Sequence, residues 1–265
     1  MAGSYWAKRL QEQQDILYNK GLNAQKKQLI TYYKQAIADT QNDIGKLYDQ
    51  IQKESATGEI KINDLYRYDR YFKVMNNLNS QLQTLGQKEI EIDTDSFKTL
   101  YNSVSKYVSD QIPNGLYNTF TADKAADSVL NSVWAADGKH WSSRVWTNKT
   151  ELQKSIEKGM VDSFSRGVPK DQMVKQISDT FASDFYKADR LVRTELTHIQ
   201  NSACADTYKQ AGVEYYQFLA EIDSRTSDIC AELDGQIFKM DEMIVGVNCP
   251  PMHVNCRSTI VPYFE

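Results

Sequence analysis

A chain of 265 residues is long enough to bury one large core or two smaller ones. With 41% apolar and 25% charged residues and a mean hydropathy of −0.59, it is neither disordered nor membrane-like. The formal charge of −4 excludes a protein whose main work is coating DNA, because neutralising phosphates needs a Lys/Arg excess; residues before Ile92 hold 13 basic and 11 acidic side chains, and those from Ile92 on hold 18 and 24.

Only 12 glycines and 5 prolines break the chain, which favours long helices over a many-turned β-sandwich. The N-terminus turns polar at once, so no signal peptide is expected, and no apolar run reaches the ~18–20 residues a membrane span needs. The expected setting is a reducing cytoplasm, where four cysteines serve as metal ligands or buried thiols sooner than as disulfides.

The segment from Tyr5 to Glu54 lacks proline and reads as one very long helix. Leu10, Leu17 and Ala24 recur every seven residues, as do Ile30, Ile37, Ile44 and Ile51 after a one-residue skip, with Tyr33 and Leu47 between them. That spacing predicts a narrow apolar seam, packed in a bundle or in an intermolecular coiled coil. Residues 56–60 (ATGEI) break the helix, and a second runs from Asn63 to Leu85, folding back as a helical hairpin and ending at Gly86. EIEID (89–93) reads as a linker or edge strand, with Asp95 capping a third helix to Val108.

The turn Ile112-Pro-Asn-Gly115 sets the expected boundary between a helical region, 1–112, and a second domain, 113–265. Within that domain 113–212 is helical. Thr121 caps a helix to Trp134, WSSRVWTNKTEL (141–152) leads into a helix to Phe164, and a short helix reaches Phe181. Asp184 then opens a long helix to Gln210, closed by Gly212. The period changes at Val213–Ile222, a β-branched and aromatic run that predicts a strand, with Gln236-Ile-Phe and Thr259-Ile-Val-Pro-Tyr as its partners. The fold class expected is mainly α: a long N-terminal helical hairpin, a helical middle and a small α+β module at 213–265.

Several blocks, in order, carry a resemblance: SYWAKR (4–9), WSSRVWTNKTEL, SRGVPKDQM (165–173), RLVRTELTHIQNSA (190–203) and the final set Asp223, Cys230, Gly235, Cys249-Pro-Pro-Met-His253, Cys256-Arg257. Together they resemble the MuF-type phage head morphogenesis family of minor capsid proteins. The resemblance implies a structural protein of the head, acting in procapsid assembly and in DNA packaging or ejection. Implied partners are the portal, the major capsid protein or a scaffold, with at most a weak contact to packaged DNA and none with a membrane. The implied location is the host cytoplasm during assembly and then the head interior. Longer members carry a toxin domain after the shared module; with nine residues beyond Cys256, none is expected in this sequence.

Cys230, Cys249, His253 and Cys256 offer three thiolates and one imidazole, a normal closed tetrahedral set for a structural Zn2+. The other readings are buried thiols beside a hydrogen-bonding histidine, or a disulfide. Arg193, Thr194, Glu195, Asp223, Arg225 and Arg257 read as ion-pair and capping residues, with Arg225–Glu195 or Arg193–Asp223 pairs locking the long helix to the β end. His198 is a lone helix histidine, and His140 a solvated loop residue. An ADP-ribosyltransferase-like enzyme would have to draft Arg193, Ser224 or Thr226, and Glu195 or Glu232. Arg193 and Glu195 share one helix, so no catalytic residue is expected.

Overall fold

The computed structural model describes residues 2–55 and 61–264, with side chains from Lys8 onward except that of Tyr68. The expected break at 56–60 lies outside the described residues. Seven α-helices and three strands occur among those described: α1 (Ala2–Glu54), α2 (Ile62–Tyr66), α3 (Arg70–Gln111), α4 (Thr119–Leu130), α5 (Trp141–Arg166), α6 (Lys170–Gln210), β1 (Tyr215–Leu219), α7 (Asp228–Leu233), β2 (Ile237–Lys239) and β3 (Thr259–Tyr263). The mainly helical class with a small α+β end is as expected. The chain divides into two compact units, 27–91 with 142–189 and 1–26 with 92–141 and 190–265, and each draws on both sides of Ile112.

The buried seam of α1 does not keep the seven-residue rhythm. It runs Leu22, Gln25, Leu29, Tyr33, Ala36, Thr40, Ile44, Leu47 and Ile51, in steps of three and four that repeat every eleven residues. Eleven residues per three turns is close to the natural pitch of a straight helix, so α1 needs no left-handed supercoil to keep this face inward. Ala24 is exposed and Ile37 only half-buried. The pattern escaped the apolar count because buried polar residues fill several of its positions. Gln25 donates to Asp93 at 2.6 Å, and Thr40 donates to Gln81 at 2.8 Å.

The largest departure from expectation is continuity. EIEID is neither linker nor strand, Gly86 closes no helix and Asp95 caps none; all lie inside α3. Gly86 is kept small by packing, since a Cβ there would sit 2.6 Å from the Trp146 ring of α5. Likewise the break expected between Phe181 and Asp184 is absent from α6.

In the unit built from 27–91 and 142–189, the reason is a buried ion cluster. The Lys149 ammonium lies 2.5 Å from Asp184 Oδ2 and 2.8 Å from Glu89 Oε2, and donates to the Tyr33 hydroxyl at 2.5 Å. All three ionic side chains are 3% exposed or less. Tyr33 packs edge-on against Phe181 and Phe185, and the Tyr48 ring meets Phe164 at a tilt of 45°.

In the other unit, α4 starts one turn earlier than Thr121 suggested: Asn118 is the cap, its Oδ1 accepting from the Thr121 amide. The helix also stops earlier, at Leu130. His140 is not a solvated loop residue; its Nε2 donates to the Leu130 carbonyl at 2.8 Å. Gly212, at φ +74, closes α6 as expected, with Val213 N bonded to Tyr208 O and Gly212 N to Lys209 O. The chain then enters an antiparallel sheet of order β2-β1-β3, pairing Tyr216 with Phe238 and Phe218 with Ile260. Tyr216 and Phe218 alternate inward. The face of α6 from 197 to 208 holds the strand that leads into β3. Thr197 donates to the Cys256 carbonyl at 2.7 Å, Asn201 to Ser258 O and Tyr208 to Ile260 O.

Candidate metal centre

Cys230 is placed by the start of α7. Ser227 caps that helix, its hydroxyl accepting from the Cys230 amide, and the Cys230 thiol joins a buried cluster with Phe218, Ala220 and Cys256. Leu233, Phe238 and Met252 close the cluster from its edges. Cys256 is fixed from behind by the Thr197 bond to its carbonyl. The two thiols end 3.8 Å apart, and His253 Nε2 lies 3.3 Å from Cys230 Sγ.

Two features suit a soft cation. Two thiolates each about 2.3 Å from one tetrahedral ion lie roughly 3.8 Å apart, the separation found. His253 Nδ1 donates to the Val254 carbonyl at 2.9 Å, which leaves the Nε2 lone pair on the side of the thiols. Ser227 donates to that lone pair at 2.9 Å. Cys230 is the readier thiolate: a hydrogen bond from Cys256, helped by Ser227, holds it down to about 5 despite burial, while the same bond and burial push Cys256 up.

Of the four ligands expected from the sequence, the structure gathers Cys230, His253 and Cys256, with their ligand atoms all within 4.8 Å of one another. Cys249 is not among them. Its segment is turned by the Val245–Cys249 bridge and the Gly246 N–Cys249 O bond, and its thiol lies near the Pro250 carbonyl and in electrostatic range of Tyr216. Burial pushes Cys249 up to about 12, the state of an inert core thiol. No disulfide forms among the four cysteines.

The ion pairs also fall differently. Asp223 takes a two-pronged bond from Arg257, at 2.6 and 2.9 Å, and Arg225 reaches the same carboxylate at 3.3 Å. Arg257 also pairs with Glu221 at 2.7 Å. Its hydrogen bonds hold the Asp223 carboxyl well below the usual range. Asp223 is not the helix cap, since Ser227 takes that place; it instead bends the loop by accepting from the Arg225 amide at 2.8 Å.

Thr194 accepts from the Asn255 amide at 3.1 Å, and the Tyr18 hydroxyl donates to the Arg193 carbonyl at 2.9 Å. Glu195 is buried and accepts from Trp134 Nε1 at 2.9 Å, so its carboxylate holds an indole in place. Thr226, drafted for the enzyme reading, spends its hydroxyl on the Glu221 carbonyl. Sequence reasoning missed Ser227, which touches both Cys230 and His253; a serine immediately before a short polar–apolar helix was the available signal.

Fold and cluster together define a mainly helical protein closed by a small α+β module bearing cysteine and histidine. Residues 154–261 match the family described as "Phage Mu protein F like protein", so this segment is similar to MuF-type phage head morphogenesis proteins. The match takes in the Arg193-Thr194-Glu195 helix and the final block, while SYWAKR and WSSRVWTNKTEL precede it. A Haemophilus influenzae protein described as uncharacterized is similar, 20% identical over 117 residues. The alignment covers 44% of this chain but only 26% of that relative. No solved structure matches. No helix among the described residues is long and apolar enough to cross a membrane.

Proposed function

We propose that this chain is a structural minor head protein that works in procapsid assembly through contact with the portal, and with the capsid or scaffold around it. The observation that carries this reading is the family match over 154–261, whose C-terminal part coincides with the module that the Cys230–His253–Cys256 cluster closes. Assembly would take place in the host cytoplasm and leave the protein in the head, with no more than a weak contact to DNA. The assembly role is assigned to 113–265, and 1–112 is its helical extension. Mass spectrometry of assembled particles tests this: a few copies per procapsid are expected, and absence from both procapsids and virions would end the reading.

The same module is proposed to hold one Zn2+ on Cys230, His253 and Cys256. Bound there, the ion would tie α7 to the 253–256 loop and contribute folding energy, a structural role. Metal analysis of the purified protein should find about one zinc per chain in wild type and in Cys249→Ser, and none in Cys256→Ser. Metal-free wild type with an intact fold would sink the site. Loss of zinc in Cys249→Ser alone would return that residue to the ligand set.

A further inference from the structure

Two of the clustered residues can react with each other. Cys230 Sγ and Cys256 Sγ are in direct contact at 3.8 Å. A disulfide brings two sulfurs to about 2.05 Å, so an approach of roughly 1.8 Å, within the reach of a side-chain rotation, makes the bond. Both backbones are held by groups that take no part in such a reaction. The Ser227 hydroxyl accepts from the Cys230 amide at 3.3 Å, Thr197 donates to the Cys256 carbonyl at 2.7 Å, and Thr194 accepts from the Asn255 amide at 3.1 Å. The thiols therefore stay opposite each other whatever their oxidation state. The other two cysteines are placed differently: Cys249 Sγ lies 3.6 Å from the Pro250 carbonyl, and Cys204 Sγ accepts from Gln14 at 3.1 Å.

The pair also brackets a stretch with little core of its own. From Ala231 to Val247 only Met240 is buried, while Ile237, Ile244 and Val247 stand exposed. A bond between Cys230 and Cys256 ties off a loop spanning 26 positions and removes open conformations from the unfolded chain, which holds this stretch without apolar burial. Cys230 is 3% exposed and Cys256 1%, so a bulky oxidant such as glutathione disulfide is poorly suited to them. A peroxide is small, and it has an edge to enter by, where Ser227 and His253 meet at the surface beside Cys230.

We propose that Cys230 and Cys256 form a reversible dithiol–disulfide couple oxidised by peroxide. The Cys230 thiolate attacks one peroxide oxygen; the O–O bond breaks, Cys230 becomes a sulfenic acid, and the hydroxide released takes up the proton that Cys230 gave away. The Cys256 sulfur then attacks the Cys230 sulfur. The S–S bond forms, the S–O bond breaks, and the departing hydroxyl leaves as water with the Cys256 proton. Two thiols and one hydrogen peroxide thus give one disulfide and two waters. Because Cys256 is already in contact, the sulfenic acid is consumed before a second peroxide can carry it to the irreversible sulfinic acid. The couple stands on the thiol geometry alone. Its consequence for metal rests on the zinc reading: a disulfide offers no thiolate, so the oxidised and zinc-bound states exclude each other.

The test treats the full-length reduced protein, stripped of metal with a chelator, with hydrogen peroxide under native conditions. Thiols are then blocked, and the digest is mapped by mass spectrometry. The free-thiol count should fall from four to two, with a single intrachain link between Cys230 and Cys256 that dithiothreitol reverses. Cys249→Ser should form the same link, and Cys256→Ser should carry its Cys230 on to sulfinic acid. Adding zinc to the reduced protein beforehand should slow the oxidation at least tenfold. If the reduced protein binds no zinc, the metal site fails while the map still decides the couple. The proposal is overturned if all four thiols survive, if the link involves Cys204 or Cys249 or joins two chains, or if wild-type Cys230 goes to sulfinic acid. A link that forms only in urea would overturn it as well, since the fold would then be holding the thiols apart.

Discussion

Replacing Lys149 by methionine removes the only cation from the buried cluster and leaves Glu89 and Asp184, both nearly free of solvent contact, facing the Tyr33 hydroxyl. Methionine keeps most of the packed volume, so the loss is electrostatic. Breaking a buried ion set by removing one partner costs about 3–5 kcal/mol, because the remaining charge stays uncompensated. At roughly 2–4 °C of melting temperature per kcal/mol, that is a fall of about 6–20 °C in a thermal melt followed by circular dichroism. Burial already raises the Glu89 pKa, and Lys149 is what restrains it. A raised carboxylate favours the folded state in acid and loses that advantage as pH rises through its folded value. The Lys149→Met deficit should therefore widen towards neutral and alkaline pH and narrow in acid. The triple variant Lys149→Met, Glu89→Gln, Asp184→Asn carries no buried charge and should regain most of the stability. A Lys149→Met protein within about 1 kcal/mol of wild type at pH 7.5 would refute the reasoning, whatever the triple variant does.

The Asp15 carboxyl is raised to about 6 by burial and by Glu221, so it favours folding below its unfolded value near 3.8 and opposes it as pH climbs past 6. Asp15→Asn should raise the melting temperature at pH 7.5 and leave it unchanged near pH 3.5; equal effects at both would contradict this. Gly86→Ala should destabilise the protein although alanine is worth about 1 kcal/mol more than glycine in a helix, because overpacking against Trp146 costs about 1–3 kcal/mol. Denaturant titration decides it, and a gain in stability would show that Trp146 can move aside. Arg257→Ala should barely shift the global melt, since exposed ion pairs contribute about 0–1 kcal/mol, yet it should speed amide exchange across 221–227 where Asp223 shapes the loop. Unchanged exchange there would remove Arg257 from that role.

What could be read from the sequence was set by periodicity. Long proline-free stretches gave the helices, and the switch to alternating β-branched and aromatic residues after Gly212 placed all three strands. The errors are of one kind. The pattern reads Glu89 and Asp93 as a linker or edge strand and Asp184 as the start of a helix, because acids cluster near such apparent breaks. Both helices run on because these acids are buried against partners far along the chain: Glu89 and Asp184 against Lys149, Asp93 against Gln25. A lone sequence shows an acid's type but not whether a lysine sixty residues away will meet it. Gln14, Gln25 and Thr40 hid the seam of α1 for the same reason, since an apolar count passes over polar residues that are buried and bonded.

The metal cluster obeys a different logic. Spacing alone treated Cys249 and Cys256 as equals, because both sit within a few residues of His253. Their difference comes from what holds the backbone on either side. Cys256 follows a turn pinned at its carbonyl by Thr197 and at the Asn255 amide by Thr194, so α6 aims its thiol at Cys230. Cys249 precedes the two prolines and is tied back to the loop behind it, at Ile244 and Gly246, so its thiol turns into the core. The Arg193-Thr194-Glu195 helix thus acts on the cluster through Thr194 and its neighbour Thr197, while Glu195 steadies Trp134. The side chains of Thr194, Thr197 and Glu195 meet a backbone amide, a carbonyl and an indole, bonds that suit a small module lacking the apolar bulk to hold its last strand in place.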